Sequence, residues 1–253
     1  MTRVGFIGTG HIAAPMARAA ARRGHPVLVS GRNAETAAAL AGAFETISVA
    51  PNQDVLDGSD VVFLCLRPRL AGDVLAPLAF RADHRVISVM AGVAMTELQR
   101  LCAPAGAVSA TIPLGFLEQG GCPLPVYGPP ADLRALFGPE NPVIEVATEA
   151  ALNRHFAVCA MVPGMLAMLD AGADWLGTAT GDPESAEIYT AQLMRGFLAA
   201  SEPRRGGLAA ARDALATEGT LSLQMVEALR DSGALASLRN ALDSIGARLD
   251  SHA

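Results

Sequence analysis

The sequence predicts an α/β chain in which an N-terminal doubly wound parallel sheet is followed by an all-α C-terminal domain. Three observations carry this. Short apolar runs alternate with Ala-rich helical stretches up to about residue 147; strand signals stop there; and a glycine-rich turn follows the first strand directly. The domains are accordingly placed at 1–147 and 148–253. Strands are expected over Arg3–Gly8, Pro26–Ser30, Glu45–Val49, Asp60–Leu66, Arg85–Met90 and Ala107–Ile112, and the further runs Leu124–Tyr127 and Pro142–Ala147 extend the sheet. Helical spacing is read over Ala14–Arg23, Ala34–Ala41, Ala94–Cys102 and Ala131–Phe137. In the second half, one helix over Glu149–Leu176 is apolar on nearly every side, which suits the interface of a homodimer or a higher homo-oligomer. A loop is expected at Gly177–Pro183, with Asp182 as N-cap and Pro183 opening the next helix.

Composition narrows the chemistry. Of 253 residues, 51% are hydrophobic and 17% charged, enough for a packed core. A net charge of −6 leaves no basic stripe for nucleic acid or an anionic membrane surface. All 19 basic residues are arginine, so lysine-based chemistry is excluded: no Schiff base, no P-loop lysine, no lysine acid. Cys65, Cys102, Cys122 and Cys159 are too irregularly spaced for a metal or redox motif, and buried thiols and no metal are expected. The first residues show no apolar h-region, and the longest uncharged apolar run, Phe156–Leu169, is 14 residues and holds Pro163 and Gly164. No membrane span and a cytoplasmic location are expected.

The first strand runs into Gly8-Thr9-Gly10-His11-Ile12-Ala13, a G-x-G-x-x-A fingerprint that opens a helix, the mark of a Rossmann-type dinucleotide site. Gly8 permits the turn, Gly10 lets backbone approach a pyrophosphate, Ala13 allows close helix–strand packing, and the helix N-terminus supplies free N–H groups. The second strand ends in Ser30-Gly31-Arg32-Asn33 with no acidic residue. A carboxylate there would bond the ribose hydroxyls of NAD; Arg32 with Ser30 and Asn33 instead suits a 2′-phosphate, so NADP(H) is the expected cofactor. The plainer reading leaves Arg32 in solvent and makes Asn33 a helix cap.

On these residues and others the chain resembles the pyrroline-5-carboxylate reductase family. The family's Lys-Pro pair after the fourth strand corresponds to Leu66-Arg67-Pro68, and its Ser-x-x-Ala-Gly-Val stretch to Ser88-Val89-Met90-Ala91-Gly92-Val93. Its Met-Pro-Asn-Thr-Pro signature corresponds to Ser109-Ala110-Thr111-Ile112-Pro113, which keeps only the final proline and has Thr111 at the Asn position, and its Gly-Ser-Gly-Pro-Ala to Ala160-Met161-Val162-Pro163-Gly164. Its Pro-Gly-Gly-Thr-Thr turn corresponds to Glu218-Gly219-Thr220-Leu221-Ser222. The resemblance implies NADPH-dependent reduction of a C=N bond, pyrroline-5-carboxylate to proline or a related cyclic imine, in proline biosynthesis. It implies a cofactor contacted by Gly8, Thr9, Gly10, His11, Ile12, Ser30, Arg32, Asn33, Leu66, Arg67, Pro68, Ala91, Gly92 and Thr111. Substrate would lie against Gly219, Thr220, Ser222 and Pro163, with Ser222 and Thr220 as the catalytic hydroxyls. Those two hydroxyls equally suit a helix N-cap before Leu223–Leu229.

Cofactor-side motifs are kept while substrate-side motifs are altered. An imine reductase for a non-carboxylate imine, or a catalytically silent NADP-binding regulatory protein, are the alternatives. A 3-hydroxyacid dehydrogenase is disfavoured because that family relies on a lysine. His155 is expected on a helix surface or interface rather than as a proton donor, and Glu118 as a solvated loop residue. Met161, Met165 and Met168 fall at helical spacing that suits packing.

Overall fold

The structure, a computed structural model, describes residues 1–201 and 203–251. It divides into two compact units, the first comprising Met1–Phe156 and the C-terminal residues from Gly246, the second Ala157–Ile245. In the first unit, eight strands form one sheet: β1 (Val4–Ile7), β2 (Val27–Ser30), β3 (Ile47–Ala50), β4 (Val61–Leu64), β5 (Arg85–Ser88), β6 (Ala107–Thr111), β7 (Leu124–Tyr127) and β8 (Val143–Glu145). Their order is β3-β2-β1-β4-β5-β6-β7-β8, parallel throughout except that β7 runs antiparallel to β6. The chain winds outward from β1 in one direction to β3 and then in the other from β4 onward. A crevice therefore opens between the C-terminal ends of β1 and β4.

Both central strands are apolar at every position, Val-Gly-Phe-Ile in β1 and Val-Val-Phe-Leu in β4, and all eight residues are buried. This is the form of strands covered on both faces. Alternation sends Phe6 and Phe63 to one face, where they stack at 5.1 Å and meet Phe137, and Ile7, Val62 and Leu64 to the other. The first face is covered by α1 (Ala13–Arg22), α2 (Ala34–Ala43) and α6 (Ala131–Phe137). The second is covered by α3 (Asn52–Asp57), α4 (Ala71–Leu75) and α5 (Met95–Leu101). Neither α3 nor α4 is read from the sequence: they have six and five residues, too few to show a period. Parallel strands nonetheless require crossovers of this kind.

Glu118 is not a solvated loop residue. It receives Arg18 at 2.6 Å and Arg22 at 3.2 Å, and the bonds from Arg18 hold its carboxyl below the ordinary range. Together they pin the loop after β6 to α1. The four cysteines are free thiols, and the described residues contain no cluster of metal-ligating side chains.

The helix expected over Glu149–Leu176 is two helices, α7 (Glu149–Cys159) and α8 (Met161–Thr180). Pro163 has no N–H to bond back to Cys159, which favours a break at Ala160. The Glu149 carboxylate accepts the Met95 N–H at 2.8 Å, and Leu152 and Asn153 are buried, so the first turns of α7 belong to the sheet unit. His155 Nδ1 donates to the Ala151 carbonyl at 2.8 Å. In the second unit, α8 continues through Gly177–Thr180, where a loop is expected from the sequence. It turns at Gly181, in the left-handed conformation, into α9 (Pro183–Ala200), which is capped by the Asp182 side chain. The missing side chain at Gly177 makes room: a Cβ there would lie 2.9 Å from Pro183 Cα. The unit is completed by α10 (Gly207–Leu215), α11 (Leu221–Asp231) and most of α12 (Ala234–Asp250).

The consecutive helices Glu149–Thr180 are by length and composition apolar enough to cross a membrane, with a mean hydropathy of 1.7 in their most apolar window. Asp170 and Asp174 lie in this stretch, and carboxylates are costly at bilayer depth. On α8 and α9 the apolar side chains Leu166, Trp175, Ile188 and Leu198 are more than half exposed in the single chain.

Truncating Phe63 removes the ring shared by both aromatic contacts. The variant Phe63→Ala is expected to lose about 3–5 kcal/mol of stability, measured as a shift in the urea midpoint at unchanged slope.

Candidate functional site

The crevice at the ends of β1, β2 and β4 holds a cavity of about 460 Å³ lined by Gly8, Thr9, Gly10, Arg32, Asn33, Cys65, Leu66, Arg67, Arg69 and Leu70. Its geometry starts from Gly8. This residue has φ +98°, and a Cβ there would stand 2.3 Å from the Cys65 carbonyl oxygen, so the fold itself demands glycine. Ser30, at the end of β2, is 1% exposed; its hydroxyl accepts the Gly8 N–H at 2.8 Å, and its carbonyl accepts the Thr9 hydroxyl at 2.6 Å. Ser30 is thus the strut beneath the loop and not a lining group of the cavity. The sequence-based placement of its side chain on a phosphate is corrected on this point.

Gly10 differs from Gly8. Nothing lies within 4 Å of where its Cβ would be, and its backbone is not left-handed. Neither packing nor conformation in the chain requires glycine there; a bare backbone facing open space is what the close approach of a ligand requires. The helix that follows has no side-chain N-cap and no acidic residue in its first turn; Ala14 N–H bonds the Gly10 carbonyl at 2.9 Å and Pro15 has no N–H, so the N–H groups of Ile12 and Ala13 are the ones left for an anion. Ala13 is 1% exposed, which brings α1 close onto the sheet.

The charge of the cavity is one-sided. Arg32, Arg67 and Arg69 line it, no carboxylate does, and the chain as a whole carries −6. Asn33 has two roles available: its carbonyl oxygen caps α2 at Thr36 N–H, 3.5 Å away, while its amide N–H groups stay free. Burial pushes the Cys65 thiol well above its ordinary range, which keeps it protonated and inert beside the cavity.

Of the other expected cofactor residues, exposed His11 and half-buried Ile12 form the turn into α1, and exposed Pro68 opens the short 3-10 turn Pro68–Leu70 beside the cavity. Ala91 and Gly92 follow β5, half-buried, with Gly92 at φ +71°. Thr111 is fully buried, and its hydroxyl donates to the Pro125 carbonyl at 2.8 Å. None of these six lines the cavity. Cys65, Arg69 and Leu70 do line it and are missing from the sequence-based set. Arg69 carried a readable signal, as a second arginine two residues after Arg67 at a strand end.

In the second unit, Gly219 (φ +78°), Thr220 and Ser222 come together at the start of α11, and Pro163 sits in the first turn of α8. Thr220 is the N-cap: its hydroxyl accepts Leu223 N–H at 3.2 Å and donates to the Thr217 carbonyl at 2.7 Å. Ser222 is exposed, and its hydroxyl has no partner among the described residues. Exposed Leu221 separates the two.

A doubly wound sheet with a glycine loop, a bare helix end and a cationic rim at its switch point defines a dinucleotide-binding fold. Residues 3–92 match the family described as NADP oxidoreductase, coenzyme F420-dependent. The chain is 38% identical to pyrroline-5-carboxylate reductase of Pisum sativum over 104 residues, which are 38% of this chain and 37% of that protein. The matched span is thus well under half of the curated relatives' length. Over nearly its whole length the chain superposes on a pyrroline-5-carboxylate reductase of Coxiella burnetii, with TM-score 0.85 and 16% identity, covering 100% of this chain and 98% of the other. It likewise matches the Plasmodium falciparum pyrroline carboxylate reductase solved with NADP bound, with TM-score 0.80 and 14% identity, covering 99% and 98%. At these identities the structural likenesses establish the fold. The resemblance read from the motifs is matched by sequence similarity over 38% of the chain, and the expected fold is borne out by the architecture.

The two glycines should separate on substitution. Gly8→Ala is expected to cost about 2 kcal/mol or more, a drop of at least ~4 °C in Tm by calorimetry, while Gly10→Ala keeps the wild-type Tm. Thr220→Ala should cost about 1 kcal/mol as a lost N-cap, read from the same denaturation curves.

Proposed function

We propose that this protein is an NADPH-dependent reductase of a C=N bond that converts pyrroline-5-carboxylate to proline or reduces a related cyclic imine. The observation that carries the reading is the open space over Gly10, beneath an uncapped helix end and among arginines with no carboxylate. Similarity to pyrroline-5-carboxylate reductases supports the substrate class. The bound nicotinamide supplies the hydride. The chain would supply position and charge: the uncommitted N–H groups of the loop beyond Gly8 and at the start of α1 would hold the pyrophosphate, and Arg32 with the Asn33 amide would hold the 2′-phosphate.

A cyclic imine can arrive protonated, so an orienting hydroxyl suffices and no strong protein acid is needed. Ser222 fits this role, because its hydroxyl is exposed and uncommitted while that of Thr220 is spent on the cap. The segment 148–253 serves as the substrate and dimerisation domain in this reading. The exposed apolar side chains of α8 and α9 then lie against a second copy, which explains a membrane-like hydropathy in a helix pair carrying Asp170 and Asp174. A soluble homodimer is expected.

Oxidation of NADPH with pyrroline-5-carboxylate, followed at 340 nm, tests the reading. Turnover should fall at least about tenfold in Ser222→Ala, with NADPH affinity and Tm unchanged. Arg32→Ala should weaken NADPH binding about tenfold and leave NADH binding nearly unaltered. Tight NADPH binding without turnover on any cyclic imine would refute the enzymatic reading.

A further inference from the structure

The arginines of the first unit are unevenly committed. Nine of its thirteen pair with an Asp or Glu, and among the described residues Arg32, Arg67, Arg69 and Arg248 do not. Three of those four line the one cavity that contains the glycine loop. They come from both sides of it. The sheet order β2-β1-β4 puts Arg32 on the β2 side of the loop and Arg67 and Arg69 on the β4 side.

Charge matching shows what such a rim accepts. Three guanidinium groups and a helix end equivalent to about half a charge present roughly +3.5. A bare dinucleotide brings about −2 on its pyrophosphate. A 2′-phosphorylated one brings a further −1.5 to −2, which matches the rim closely. With the pyrophosphate on backbone N–H groups, Arg32 alone leaves the β4 side overcharged. Guanidinium groups approaching one phosphate from two strand ends make several charge-assisted bonds that a ribose hydroxyl cannot replace.

We propose that Arg69, on the turn after β4, is a second 2′-phosphate-recognising residue that acts with Arg32 across the glycine loop, so that selectivity for NADPH over NADH is divided between two strand ends. The proposal rests on the assignment of this cavity to a dinucleotide. It differs from that assignment in naming a residue on the β4 side as a reader of the phosphate that distinguishes the two cofactors. Arg69 is exposed and bonds nothing among the described residues, so its replacement leaves the fold intact.

The test is calorimetric binding of NADPH, NADH and adenosine 2′,5′-bisphosphate to the wild type, Arg69→Gln, Arg32→Gln and, as an unpaired arginine outside the cavity, Arg248→Gln. Arg69→Gln should weaken NADPH and the bisphosphate about tenfold and NADH less than about twofold. Its NADPH affinity should also fall less steeply with added salt than that of the wild type. Arg248→Gln should match the wild type. An equal loss for NADPH and NADH would assign Arg69 to the pyrophosphate and overturn the proposal alone, as would no loss at all. Failure of the wild type to bind either dinucleotide would overturn the underlying assignment and this proposal with it.

Discussion

The hydroxyl of Ser30 holds the glycine loop in place, and the rest of the site depends on that bond. The loop after β1 must turn sharply enough to bring Gly8 against the Cys65 carbonyl, and a turn that tight leaves an amide facing inward. Buried and unpaired, that N–H would cost on the order of 1–3 kcal/mol; Ser30 accepts it, and the Thr9 hydroxyl closes the same junction by donating to the Ser30 carbonyl. Three strand ends are locked together by this arrangement: β1 through the loop, β2 through Ser30 and β4 through the contact at Cys65. Gly10, the start of α1 and the arginine rim can all face one cavity because these ends cannot shift independently.

Electrostatics follow the same economy. The chain is acidic overall, and most arginines of the sheet unit are engaged by carboxylates, several of them joining separate elements, as Glu118 ties the loop after β6 to α1. An exposed pair of this kind contributes little. The half-buried Arg18–Glu118 fork, with two bonds at 2.6 and 2.8 Å, fixes geometry as well. Against that background the uncommitted arginines at the crevice are the exception. Long side chains without an internal partner adapt to a ligand at low cost, and the absence of any carboxylate in the cavity means that no competitor must be displaced first.

The second unit divides its polar groups in a comparable way. At the start of α11, two hydroxyls separated by a single residue have opposite fates. Thr220 satisfies the helix end, and Ser222 projects from the first turn with nothing to bond. The exposed Leu166, Trp175, Ile188 and Leu198 of α8 and α9 are a large apolar area to leave in water.

The central strands were legible because residues covered on both faces must be apolar at every position, as in Val61–Leu64, and the glycine loop because only certain residues fit its turn. The strand Leu124–Tyr127 and the helix Ala131–Phe137 carry their boundaries in their local patterns. The short crossovers α3 and α4 were not legible, since five or six residues do not complete two helical turns. The persistence of helix to Thr180 depends on the neighbour at Gly177, which hydropathy does not record, and the break at Ala160 follows from the missing N–H of Pro163, which a reading by hydropathy passes over. At the site, the loop, the bare helix end and the lack of an acid after β2 are written in the amino-acid order alone, because each is a property of residue type at a fixed offset. That Ser30 supports the loop instead of meeting a ligand, that Thr111 and Thr220 have spent their hydroxyls, and that Arg69 shares a cavity with Arg32 emerge from the folded arrangement. Hydrogen-bond partners and the two sides of a crevice are set by segments far apart in the chain, and they exist only once the strands are in order.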